Sequence, residues 1–346
     1  MAQTHSFTNA NQITDWTQEI MELDNQFGFI KSQGYFRTQP TSQTSITFDR
    51  TETDIKVLGQ ADRRHSEGVA GKDRVVKTFA LALPYFKHFD NITVQDVQDQ
   101  RRPGEADMAE ALDRVRAEKL LDLRLNMDQT HEFLQFSALT GQTKDGDGNT
   151  IVDMYSEFGL NLAADYTVDL DTGNASVDLD KKIATVRRKL AGAGKGHRVS
   201  GIDFILDYAL FDEIIANPKF REVYNMYVNS GVQRLRDDLS SYFDFGVVDF
   251  FEHRGVRFIA YNPSFDTVGG TQQVLGAGKG IAIPRNTDGL YRGYFGPANK
   301  LSLANQGGNE MFAFEYRAAD DTQHRMEVES SPLYFATKPA TIIHLT

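Results

Sequence analysis

Five oxygen-bearing side chains, Asp145, Asp147, Asn149, Asp153 and Glu157, lie close enough along the chain to suggest a calcium loop. An EF-hand loop needs oxygens at positions 1, 3 and 5, a glycine at 6 and a bidentate glutamate at 12. Counted from Asp145, position 6 is Thr150 and position 12 is Ser156, with Glu157 one place late, so no register satisfies both ends. Asp145-Gly-Asp-Gly-Asn149 is also the composition of a tight β-turn, because Gly, Asn and Asp reach positive φ at little cost. The turn is the expected structure. Two glycine runs, Gly192-Ala-Gly-Lys-Gly196 and Gly276-Ala-Gly-Lys-Gly280, invite a phosphate-loop reading. That chemistry needs GxxxxGK followed by Ser or Thr, between a strand and a helix. Here a glycine follows each lysine, and the first run follows a helix pattern, so both are expected to be plain loops. The eight histidines (5, 65, 88, 131, 197, 253, 324 and 344) show no HExxH or other metal-ligand spacing. No GxSxG elbow is present, and a chain with no cysteine has no thiolate nucleophile, cysteine-ligated metal or disulfide. No catalytic, cofactor-binding or metal-binding residue emerges, and no cofactor is implied.

The elements that would position any site are more informative. Met108, Leu112, Val115, Leu123, Met127, Leu134 and Ala138 hold one helical face, predicting a helix from about Glu105 to Leu139 that stops at Thr140-Gly141. At about 1.5 Å per residue the rod is roughly 50 Å long, well beyond the usual three or four turns. Such a rod suits a flat, extended subunit better than a compact enzyme. The turn at Asp145–Asn149 leads into a return strand at Ile151–Tyr155.

Before the rod, residues to about Ser45 are polar and interrupted, with Trp16, Phe27, Phe29, Tyr35 and Phe36 scattered through them. They read as an arm that docks on something larger, with a short helix around Thr14–Leu23 capped by Thr14 or Asp15. Residues 46–83 carry strand signals around a polar tip at Ala61–Asp73, predicting a two-stranded ribbon with few residues to bury it. An isolated hairpin is marginal in water, so the ribbon is expected to find a partner surface. Between Asp49 and Asp90 stand eight Lys/Arg and seven Asp/Glu, a mixed density suited to many weak ion pairs between subunits. After the rod, Asp178–Leu190 is expected to be a helix ended by the breaker Ala191–Gly196. Strand and helix signals then alternate through Ile202–Leu206, Ala209–Ala216 and Phe220–Val228. Further strands are expected near Phe245–Phe251, at Val256–Tyr261 and at Lys279–Ile283. The end gives two strands, Met326–Phe335 and Thr341–Leu345, split by a turn. This mixed order predicts an α+β protein.

Composition sets the outer limits. A chain of 346 residues, 40% hydrophobic and 25% charged, can bury a substantial core in two or more subdomains. No stretch approaches the ~20 apolar residues that span a bilayer, and the N-terminus lacks the basic and apolar regions of a signal peptide. A net charge of −11 argues against tight or sequence-specific nucleic-acid binding.

The order of parts resembles the major capsid protein of tailed bacteriophages, nearest the lambda-type branch, the phage major capsid protein E family. The likeness is carried by Asp54-Ile-Lys-Val-Leu-Gly and the ribbon through Arg74-Val-Val-Lys-Thr-Phe, and by the helix end Glu132–Gly141 leading to Gly148–Asp153. Phe204–Phe211, Glu329-Ser-Ser-Pro-Leu-Tyr-Phe and Lys338-Pro-Ala-Thr-Ile complete it.

The resemblance implies the Hong Kong 97-type capsid fold, with residues 1–45 as N-arm and 46–90 as E-loop. Residues 91–179 and 316–346 would form the P domain, with its spine helix at about 105–139 and hairpin at about 142–155; 180–315 would form the A domain. It implies a structural, non-enzymatic shell subunit of the virion, assembled in the host cytoplasm into pentamers and hexamers around double-stranded DNA. Scaffold, portal and decoration proteins would be its other partners. Packaged DNA would be contacted non-specifically at most, and no membrane would be involved. Some relatives link an E-loop lysine to a neighbour's asparagine, for which Lys72 or Lys77 would be candidates, although the lambda-type branch is not expected to crosslink this way. The alternatives are an encapsulin-type nanocompartment of the same fold and, from a different class, an enzyme of unknown chemistry.

Overall fold

The rod predicted from the apolar spacing is a single helix, Met108–Leu139, of 32 residues, about 48 Å long at ~1.5 Å per residue. The computed structural model describes residues 13–22, 28–52, 75–98, 108–174, 176–193, 201–229, 247, 249–267, 269–285, 289–320 and 322–346. The helix contains neither Gly nor Pro, and it ends where Gly141 takes φ +86° and its N–H reaches the carbonyl of Ala138. A Cβ at Gly141 would stand 2.4 Å from the Tyr155 ring, so both backbone and space demand glycine there.

A single apolar stripe describes only the first part of the rod. There, Val115, Leu120, Leu123 and Met127 pack on Ile92, Ala313, Met326 and Val328 of a four-stranded antiparallel sheet. Its strand order is Ile13–Asp15, Phe312–Arg317, Gln323–Ser330, Phe86–Thr93. From His131 to Leu139 every residue of the helix is buried. Here Phe133, Phe136 and Leu139 face a second, six-stranded sheet, while Leu134 and Ala138 face Tyr334 and Phe295. The rod is therefore a surface beam at one end and an enclosed axle at the other.

The six-stranded sheet runs Asp249–His253, Val256–Ala260, Gly201–Leu206, Gly280–Arg285, Ile343–Leu345, Thr167–Val168. It is mixed: Val256–Ala260 is parallel to Gly201–Leu206, and the last two strands are parallel to each other. Strand alternation sorts its side chains. Ile205, Ile259, Ile281 and Ile283 face the axle, with Phe29, Ile30 and Tyr35 of the N-terminal segment beside them. Phe204, Leu206, Phe258, Ala282 and Leu345 face the opposite side. There they are covered by the helices Leu179–Ala193, Tyr208–Ala216 and Pro218–Asn229. The fold is α+β. No helix among the described residues is long and apolar enough to cross a membrane.

Several expectations change. The N-terminal segment docks deeply: Phe29 and Ile30 are fully buried between axle and sheet, and Arg37–Pro40 forms a strand. The short helix is Thr17–Glu22, after a strand Ile13–Asp15, and Asp15 Oδ1 accepts from the Thr17 N–H at 2.9 Å. Met326–Phe335 is not one strand. Pro332 starts a second one, Pro332–Ala336, in a three-stranded sheet with Tyr291–Phe295 and Arg37–Pro40. Tyr291–Phe295 and Phe312–Arg317 had no sequence signal assigned to them. The helix expected to stop at Leu190 continues through Gly192 to Ala193, because Leu179, Ile183, Val186 and Leu190 are pinned on the sheet and packing overrides one glycine. The strand expected near Phe245–Phe251 is Asp249–His253.

Candidate functional site

The motifs that could carry chemistry are each accounted for. Asp145–Asn149 closes the hairpin Gln142–Lys144/Thr150–Asp153. Asp145 Oδ1 accepts from the N–H groups of Asp147 (3.0 Å) and Asn149 (2.8 Å), Asn149 Nδ2 donates to Asp145 Oδ2, and Gly148 takes φ +84°. Asp145 is occupied in holding its own turn, and Asp153 caps the helix Met154–Phe158. In Gly276–Gly280, the N–H of Gly278 donates to Asp207 Oδ2 at 2.8 Å, and Asp207 Oδ1 accepts from Asn262 Nδ2 at 2.8 Å. A resident carboxylate thus holds the place an anion would take. Gly192 lies in a helix, and residues 194–196 of that run are outside the described residues.

The described histidines do not converge on one another. His344 contacts the Thr140 carbonyl, His324 contacts Glu315, His253 contacts Asp180, and His88 lies 3.5 Å from Asn126 Nδ2. His5, His65 and His197 lie outside the described residues. Among the described residues, no group of three or more His, Asp or Glu has metal-holding geometry.

His131 and Glu132 sit on the enclosed part of the rod and serve structure. Glu132 Oε1 accepts from the Ile30 N–H at 2.8 Å and from Tyr261 Oη at 2.7 Å, tying the N-terminal segment to rod and sheet. Burial pushes the Glu132 carboxyl up despite these donors. One ring nitrogen of His131 lies 2.9 Å from Tyr334 Oη and the other 3.0 Å from Ser330 Oγ. Ser330 Oγ donates to the Glu310 carbonyl, so it accepts from the ring, and Tyr334 donates to the other nitrogen. The neutral imidazole is fully satisfied, and burial lowers its pKa from 6.5 to about 4.

The unfolded chain takes up this proton below pH ~6.5 and the folded chain only near 4, so stability falls with pH across that window. The loss expected from this residue is about 2 kcal/mol by pH 5. Urea unfolding at pH 7 and pH 5 should show His131→Gln losing measurably less than the wild type. Equal losses would remove His131 from the account.

The largest feature that spacing did not reveal is the root of the ribbon, Ser45–Glu52 paired with Val75–Ala82. Phe48 and Phe79 stand opposite each other in register, with ring centroids 5.4 Å apart. Phe48 stacks on Phe335 at 5.4 Å, Phe335 on Tyr294 at 6.1 Å, and Phe79 on Phe158 at 5.3 Å with an interplanar angle of 2°. These five rings form one continuous stack. It runs from the helix Met154–Phe158 across the ribbon to the three-stranded sheet. Ile46 and Leu81 add buried aliphatic contacts to Val152, Met154 and Leu333. The ribbon is therefore clamped at its base, although among the described residues its strands pair only with each other. Folding the ribbon on paper about residues 61–73 would have brought Phe48 and Phe79 together. Phe158 and Phe335 gave no such signal. The tip, residues 53–74 with Lys72, lies outside the described residues; Lys77 stands on the ribbon opposite Arg50.

A 32-residue helix packed on two sheets, a ribbon clamped at its root and no assembled catalytic constellation among the described residues are the geometry of a building block. Residues 13–346 match the phage major capsid protein E family, and the chain belongs to that family. It is similar to the major capsid protein of Salmonella phage Felix O1 (isolate Felix O1-VT1), at 29% identity over 351 residues, covering 96% of this chain and 95% of that protein. It is also similar to the major capsid protein of Pseudomonas phage KPP10, at 30% identity over 322 residues and 90% of each chain. Among solved structures, a putative capsid protein of an E. coli CFT073 prophage is 14% identical with TM-score 0.49, over 78% of this chain and 79% of that one. The capsid of Ralstonia phage GP4 is 11% identical with TM-score 0.48, over 88% and 81%. The chain is a structural capsid protein, its partner is itself and its place is the virion.

Proposed function

We propose that copies of this chain close into pentamers and hexamers of an icosahedral shell around double-stranded DNA, with no catalytic role. The observation that carries this reading is the clamped ribbon: Phe48 and Phe79 fix its direction at the root, while among the described residues its two strands find no third strand. A ribbon that is marginal alone gains most by lying on a neighbour, which couples its ordering to assembly. One sequence must then serve both five-fold and six-fold rings, which requires contacts that tolerate small changes of angle.

Within that reading the Hong Kong 97-type layout follows, with residues 1–45 as N-arm, 46–90 as E-loop, 91–179 and 316–346 as P domain and 180–315 as A domain. The six-stranded sheet takes Thr167–Val168 and Ile343–Leu345 from the P-domain stretches, so the two domains share a core. Scaffold, portal and decoration proteins complete the particle, and assembly takes place in the host cytoplasm.

The test is deletion of Ala61–Asp73, which is expected to leave a folded, soluble subunit that builds no stable shells in negative-stain images. Normal shells from the deletion would overturn the intersubunit role of the ribbon. A wild-type chain that stays a small monomer would overturn the shell itself. Particles of the wild type that enclose protein cargo and never DNA would favour a nanocompartment.

A further inference from the structure

The helix Leu179–Ala193 carries a net positive charge in an acidic chain. Residues 178–198 hold seven Lys/Arg against two Asp, in a chain whose net charge is −11. Five of those cations, Lys181, Lys182, Arg187, Arg188 and Lys189, are on the helix itself, and its large apolar residues Leu179, Ile183, Val186 and Leu190 face the sheet. The neighbouring helices are nearly balanced, with Asp212, Glu213 and Glu222 against Lys219 and Arg221. Within this helical layer the positive excess is therefore concentrated on Leu179–Ala193.

The cations are held in place without being neutralised. Lys182 Nζ donates to the Asp169 carbonyl at 2.9 Å, Lys189 Nζ to the Asp165 carbonyl at 3.0 Å, and Arg187 Nη1 to the Arg254 carbonyl at 3.2 Å. Those acceptors are neutral backbone oxygens, so the charges remain available. Lys181 has a side chain 84% exposed and only a loose approach to Asp178 at 3.8 Å, and Arg188 is exposed. Asp180 is engaged by His253 and Arg254. Helix stability does not explain the pattern, because Lys181 and Lys182 stand in the first turn, where the helix dipole disfavours cations.

We propose that this strip is the surface through which the subunit touches the phosphates of double-stranded DNA, on the inner wall of the shell. This rests on the shell reading above. Lys and Arg side chains spread over the solvent side of one helix provide phosphate contact without sequence preference. Four to five contacts in an otherwise acidic subunit give binding that is weak per copy and steeply salt-dependent. Arrayed over a closed wall, such contacts order the outermost DNA while leaving it free to move.

The experiment uses the full-length, unassembled subunit and a fluorescent 30-base-pair duplex of arbitrary sequence, read by anisotropy from ~25 to 200 mM salt. The wild type is expected to bind with a log–log salt slope of about −4. Lys181→Gln/Arg188→Gln should reduce that slope by about two and weaken binding at least tenfold at low salt. Thermal unfolding of the double variant should match the wild type, since both side chains are exposed. Wild-type protein that does not bind, or a variant that binds equally well, overturns the proposal. A variant that keeps full DNA affinity but fails to form shells overturns it too, and assigns the strip to an acidic face of a neighbouring copy. Shell formation by the wild type, imaged in parallel, tests the underlying reading separately.

Discussion

Asp203→Ala is expected to lower the unfolding free energy of the isolated subunit by about 3–5 kcal/mol, the range for removing one partner of a buried, hydrogen-bonded ion pair. Asp203 is fully buried and accepts from Arg257 Nε at 2.7 Å, Arg257 Nη2 at 2.6 Å and Tyr35 Oη at 2.6 Å. Arg285 Nε approaches at 3.8 Å. The strand register places Arg257 beside Asp203 on one side and Ile283 on the other, so the guanidinium meets the carboxylate as a fork. Removing the carboxylate leaves Arg257 charged in a site only 9% exposed, and it cuts the Tyr35 bond, one of those that tie the N-terminal segment to the six-stranded sheet. Urea unfolding of the subunit measures the loss. Asp203→Asn should lose less, because it keeps an acceptor. Asp203→Ala/Arg257→Met should recover much of the deficit, since an apolar pair needs no compensation. A loss below about 1 kcal/mol for the single alanine would show that solvent reaches this site after all.

Asp203 also marks where sequence reading stops. The strand Ile202–Leu206 was legible from its apolar run, but a charged residue in the middle of such a run carries no sign of its partners, which come from residues 35, 257 and 285. The long helix was legible because its periodicity is local and Gly141 ends it. The turn at Asp145–Asn149 was legible for the same reason. What escaped depends on contacts distant in sequence. Tyr291–Phe295 and Phe312–Arg317 are strands because of the neighbours they pair with. The helix Leu179–Ala193 runs past Gly192 because the sheet holds its apolar face. The segment before Ser45 read as an arm docking on something larger, but its irregularly spaced aromatics gave no docking place: Phe29 and Tyr35 fill gaps between rod and sheet that no single element defines. The absence of a recognisable catalytic motif was visible at once, and the order of parts carried the family likeness where no single motif did.

Phe79→Ala is expected to leave the subunit folded and to reduce its yield of shells at least tenfold. Phe79 is the middle ring on one arm of the stack, 5.4 Å from Phe48 and 5.3 Å from Phe158. Its loss removes two ring–ring contacts worth about 0.5–1.5 kcal/mol each beyond their buried area. Because Phe48 and Phe79 are only half-buried and the ribbon has its own ladder, global unfolding should change little. What changes is direction: a ribbon free to swing at its root must be re-ordered each time it lands on a neighbour. A penalty of about 1.4 kcal/mol per contact costs a factor of ten in each association step, and closure compounds it over the shell. Phe79→Leu keeps the apolar bulk without the stacking and should fall between alanine and the wild type. Size-exclusion chromatography and negative-stain counts at equal protein concentration measure the yield, and limited proteolysis across residues 45–82 reports the looser root. If Phe79→Ala built shells at the wild-type yield while its ribbon became protease-sensitive, the aim of the ribbon would not limit assembly, and the ring stack would serve only the subunit's own stability.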